Sequence, residues 1–161
     1  MRIRTATPKD VSLIFSFIQK KAEFDRAMGA FSGILQVCEG KIEKTLFGEI
    51  PFAYVSFAEQ SERAIGFALY GFRYSSFAGQ PSIWLDDLYV SEEMRSQGAG
   101  TALMNHLVGI AKTHHCTHLA WTADARNTRG LSFYNRLGAK VIEKKRESMF
   151  FSMDPLIFKE L

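Results

Sequence analysis

At 161 residues, 47% apolar and 23% charged, the chain has the size and balance of one globular domain spanning residues 1–161, not of a disordered tract. A formal net charge of +3 is too small to argue for a nucleic-acid partner, and the one clear basic run, Lys144-Lys145-Arg146, reads as a solvated turn or as a phosphate or partner contact. Cys38 and Cys116 make no disulfide framework, no signal-peptide core follows Met1, and no apolar run nears the roughly 18 residues of a membrane span, so a reducing cytoplasm is expected.

In chain order, Arg2-Ile3-Arg4-Thr5 reads as a short strand. Thr7-Pro8-Lys9-Asp10 is a helix start: a hydroxyl for orphan N–H groups, a proline that needs no donor, and an acid at the positive helix end. Val11, Ile14, Phe15 and Ile18 then follow at helical spacing to about Lys21. Residues 23–47, interrupted by Gly29, Gly33 and Gly40, are expected to hold one or two short helices. Three β-rich runs, at 52–58, 64–74 and 82–90, are joined by short polar segments and predict an antiparallel meander. A loop over 91–97 leads to a helix with Leu103, Met104, Leu107, Ile110 and Ala111 on one face. A strand at 118–122, a helix from about Thr128 ended by Gly138, and strands at 139–143 and 147–153 complete a mixed α/β order.

Arg95-Ser96-Gln97-Gly98-Ala99-Gly100 lies between a strand and a helix. Two glycines let backbone N–H groups approach a ligand, and the helix start adds free amides and a positive dipole end, which suits a phosphate. GxG before a helix also occurs as a plain tight turn. A Rossmann site does not fit, because Leu103 stands where the third glycine belongs and the strand ends near Val90. A phosphate-binding P-loop lacks its Lys-Ser/Thr pair. What remains is a pyrophosphate held by main chain.

Arg95-x-x-Gly98-x-Gly100 after an apolar strand, followed by Asn127-x6-Tyr134 and Gly138-Ala139, resembles the two acyl-CoA segments of the GNAT superfamily of N-acetyltransferases. Residues 65–70 and 84–90, Ser132-Phe133-Tyr134, the opening Ile3-Arg4-Thr5-Ala6-Thr7 and Pro51-Phe52 resemble its diamine (spermidine/spermine) acetyltransferase branch. The resemblance implies a mixed, mostly antiparallel sheet flanked by helices and split between strands 4 and 5, with the pantetheine arm of acetyl-CoA in the split. It implies cofactor contacts from Leu88, Tyr89 and Val90, from Arg95, Ser96, Gln97, Gly98, Ala99, Gly100 and Thr101, and from Asn127 and Tyr134. It also implies a homodimer.

Acetyl transfer to an alkylamine needs a positioned thioester, a group that takes a proton from a nitrogen with a pKa of about 10.4, and a donor for the departing thiolate. The resemblance makes Asp86 the first choice for the amine-facing acid or water-mediated base and Asp87 the second; neighbouring strand residues point to opposite faces, so both reach the cleft only across a bulge. Tyr134 is the candidate acid for the thiolate, although Leu131, Tyr134 and Leu137 also read as a plain core stripe. Asp25 aligns with an acid of the branch that serves the distal part of the acceptor but also reads as a solvated loop acid, and Trp84 reads as a core residue or a cleft wall beside the acceptor. Ser75 and Ser76 stand where the branch carries an acid, which moves the expected acceptor from polyamines toward a shorter diamine, a lysine-like amino acid or a thioether amine. His114, His115, Cys116 and His118 look metal-like, but they span a helix end and a strand start and are not expected to converge; no metal is expected, and Cys116 reads as a structural thiol. The acceptor is expected to be a small-molecule primary amine, with a protein lysine or N-terminal amine, or a non-catalytic CoA-binding module, as the alternatives.

Overall fold

The computed structural model describes residues 1–156. Strand β1 (Arg2–Thr5) runs into a single 3-10 turn (Pro8–Asp10) and helix α1 (Val11–Ala27), then α2 (Glu39–Leu46). The meander β2 (Tyr54–Gln60), β3 (Arg63–Ser75) and β4 (Gln80–Val90) follows, then α3 (Ala99–Thr113), β5 (Leu119–Asp124), α4 (Thr128–Arg136), β6 (Lys140–Lys145) and β7 (Ser148–Met153). The seven strands form one sheet in the order β1-β2-β3-β4-β5-β7-β6, antiparallel except for the β4–β5 pair.

Side chains that alternate along the strands build a core on each face of this sheet. Phe57 and Phe67 are register partners that bury against Ile14 and Phe17 of α1 and Ile42 of α2. Their neighbours Ala58 and Ala68 face the other way, toward Leu103, Met104 and Leu107 of α3, all fully buried. Small residues under α3 and large ones under α1 let both layers close on the same strands.

The start of the chain is fixed by charge. Asp10 accepts 2.8 Å bonds from both terminal guanidinium nitrogens of Arg4 and from the Thr7 amide, and Arg4 Nε donates 2.5 Å to Glu59 on β2. The guanidinium holds the Asp10 carboxyl down at about 2.

Two features position the site. β4 and β5 are in register only at Ile83↔Leu119 and Trp84↔Ala120, after which the strands part and leave the far half of β4 with a bare edge. On its other side, β4 carries a bulge: Leu69 pairs with Asp87 and Tyr70 with Leu85, so Asp86 is the extra residue. The alternation breaks there.

Helix α1 runs to Ala27, past the expected end near Lys21, because Ala22 and Phe24 continue its apolar stripe; Gly29, at φ +73°, follows the end. Asp25 therefore lies on a helix, four residues from Lys21, and not in a loop.

Candidate active site

Where the strands part, a cavity of about 510 Å³ opens between β4, the start of α3 and α4. Leu88, Tyr89 and Val90 form one wall, and Arg95, Ser96, Gly98, Ala99, Gly100 and Thr101 form the turn at its end. Gly98 caps α3 with φ +86°, a left-handed conformation that costs a side-chain-bearing residue about 1–2 kcal/mol. A Cβ on Gly100 would lie 3.2 Å from the Phe133 ring. The amides of residues 96–101 donate to no backbone carbonyl among the described residues, and of these residues Ser96, Gly98, Ala99, Gly100 and Thr101 line the cavity, where the positive end of the α3 dipole also favours an anion. Main-chain donors at one end, a bare strand edge along the side and this volume fit the diphosphate and amide-bearing arm of coenzyme A.

The turn uses its side chains less than its backbone. Arg95 Nε donates 3.0 Å to the Val90 carbonyl, and its guanidinium stacks over Phe24 and Tyr89, so it braces the loop. Gln97 does not line the cavity; its amide nitrogen donates 3.3 Å to the Glu93 carbonyl. Asn127 caps α4, its Oδ1 accepting 2.9 Å from the Gly130 amide, and the residue lines the cavity. Arg129 and Arg136 also line this cavity, and sequence reasoning missed both. The signal available was helical spacing: with Ser132 and Phe133 they lie on the face of α4 turned to the turn, and Arg129 reaches Ser96 Oγ at 2.9 Å.

A second, smaller cavity of about 320 Å³ joins the first at Phe24, Leu88, Asn127 and Tyr134. Four carboxylates line it: Asp25, Asp86, Asp87 and Asp124. The bulge brings Asp86 and Asp87 to the same cavity, the condition that strand alternation alone would forbid. Asp86 is exposed, and its one protein partner among the described residues is a long 3.4 Å bond from Trp84 Nε1. Asp87 is half-buried, and desolvation pushes its carboxyl up against the opposing pull of Lys21, whose ammonium lies 3.6 Å away. Asp124 is bound at 2.8 Å by Arg126.

Tyr134 borders both cavities. It is buried among Trp121, Phe133 and Phe151, with ring centroids at 5.0–5.3 Å. Burial pushes its phenol above the ordinary value of 10.0, and the charge of Asp87 adds to the rise. The hydroxyl is therefore protonated throughout the neutral range, a donor and not a base. Trp84 is not brought to either cavity: its ring lies 3.8 Å beneath the Arg73 guanidinium. Nor do the histidines converge, with the His114 ring against Phe72 and His118 Nδ1 at 2.9 Å from Thr117 Oγ1. Among the described residues no three His, Cys, Asp or Glu side chains are grouped to hold a metal.

Residues 25–139 match the model of the acetyltransferase (GNAT) family. The chain is 27% identical to the thialysine N-epsilon-acetyltransferase of Mus musculus, over 99% of this chain and 96% of that protein. It is 26% identical to the human spermidine/spermine N(1)-acetyltransferase-like protein 1, over 86% of this chain and 20% of that longer protein. Its fold matches the PaiA N-acetyltransferase of Thermoplasma acidophilum, solved with coenzyme A, at a TM-score of 0.72 over 95% and 98% of the two chains and 16% identity. With its split sheet, main-chain anion turn and matching sequence segments, the chain belongs to the acetyltransferase (GNAT) family and is an acyltransferase.

Proposed function

We propose that residues 1–161 act as one domain that transfers the acetyl group of acetyl-CoA to a primary amine of a small molecule, by direct attack with both substrates bound. The observation that carries this reading is the junction of the two cavities at Tyr134: one is built for an anionic, extended ligand, and the other is small and acidic. An acidic pocket of about 320 Å³ suits a cationic amine better than a peptide backbone, which needs an open groove. The relatives named above supply the class of acceptor: thialysine and polyamine-like amines.

Acetyl-CoA, when bound, supplies the activated acetyl group as a thioester. The amides of Ser96 and residues 98–101 would hold its diphosphate, and the edge of β4 from Leu88 to Val90 would align its arm. Asp86 draws in the ammonium and takes its proton, directly or through water, since no protein cation competes for it among the described residues. Asp87 adds charge and direction from the next position. Tyr134 donates to the departing sulfur. We further propose a cytoplasmic homodimer. The exposed aromatic row Phe52, Tyr54, Phe72, Tyr74 and Phe77 on the β2–β4 side supports a second copy as its cover.

The test is release of free CoA thiol from acetyl-CoA with a panel of diamines, lysine analogues and peptides. Turnover confined to small amines is the expected result. Turnover on peptides alone, or CoA binding with no turnover on any acceptor, would overturn the reading.

A further inference from the structure

Lys21 takes no part in the chemistry above, yet it sits inside the acidic cavity. Its ammonium is hydrogen-bonded to Asp25, one helical turn along α1, and lies 3.6 Å from Asp87 Oδ1. The three side chains are sheltered, at 22–24% exposed. A lysine ammonium is chemically the same group as an incoming primary amine. Two of the four carboxylates are thus already answered by a copy of the ligand's own head, and a third, Asp124, is answered by Arg126. Asp86 remains for the acceptor's reacting amine.

A second ammonium on the acceptor would have to enter beside Lys21 and share Asp25 and Asp87 with it. Like charges a few ångströms apart in a half-buried site repel strongly and are little screened by salt. An acceptor carboxylate at the same end meets an attractive partner. Discrimination comes from the repulsion as much as from the attraction.

We propose that Lys21 is a specificity-determining residue whose ammonium fills the distal-cation subsite, so that the enzyme selects amino acids with a side-chain amine over diamines and polyamines. The inference rests on the amine-acceptor reading above.

Lysine and 1,5-diaminopentane differ by one carboxylate, and their kcat/KM ratio measures the effect. Wild type is expected to prefer lysine. Lys21→Met, and Lys21→Gln as a polar second replacement, are expected to move the ratio at least about tenfold toward the diamine, mainly through KM. Lys21→Arg keeps the charge and should keep the preference. Lys20→Met, the same charge loss at the exposed neighbouring position, should leave the ratio unchanged. An unchanged ratio in folded, CoA-binding Lys21→Met and Lys21→Gln overturns the proposal while amine acetylation stands, as does a wild-type preference for the diamine. Absence of turnover on every amine in wild type overturns both readings together.

Discussion

Tyr134 belongs to the core and lines both cavities: its ring completes an aromatic cluster, and the proposed reaction assigns its hydroxyl the role of acid. Tyr134→Phe keeps the ring and removes the donor, so CoA affinity by calorimetry should hold while kcat falls about 10²-fold, the low end for acid catalysis because a thiolate leaves readily. Asp86→Asn should lower kcat/KM for cationic amines by about 10²-fold with CoA affinity unchanged. Asp87 gives a stability signal. Its folded-state pKa is raised above the ordinary 3.8, so the folded protein binds more protons than the unfolded chain as pH rises past that point. Stability is highest below the unfolded pKa and is lost as pH climbs through the raised one. The difference in melting temperature between wild type and Asp87→Asn should shift against wild type as pH rises from 3.8.

Among the elements, the Arg4–Asp10 clamp has the opposite sign. With Asp10 held at about 2, its contribution is present above the unfolded value of 3.8 and is lost as pH falls toward 2. It amounts to about 1–2 kcal/mol, allowing for partial exposure of Arg4. Asp10→Asn should melt lower than wild type at pH 7 and converge with it near pH 2. At the turn before α3, Gly98→Val imposes left-handed strain of about 1–2 kcal/mol and should weaken CoA binding about tenfold.

Elements were legible where pattern and punctuation agreed. The meander and the last two strands lie within two or so residues of their expected bounds, and α3 carries the expected apolar stripe, because β-rich runs and helical stripes there end at glycine or polar segments. The end of α1 was not legible, since Lys21 and Asp25 put charges on its inward side that only the fold shows to be partnered at the cavity. The bulge at Asp86 leaves no mark in the sequence; it is a matter of register between two strands. For the same reason composition could not place Lys21 in the pocket or Trp84 outside it.

At the scale of the molecule, β1–β4 and β5–β7 are joined edge to edge at two register pairs, Ile83↔Leu119 and Trp84↔Ala120. Past that seam, β4 has amides and carbonyls that no strand satisfies on one side, and a ligand with its own amide groups can dock there as a surrogate strand. Loading the cleft would then act as a splint across the two sub-sheets. Amide hydrogens along residues 85–90 should exchange more slowly, and the melting temperature should climb with CoA concentration as mass action requires. An enzyme built on such a seam is stiffest while it holds its donor and loosens when the spent carrier departs.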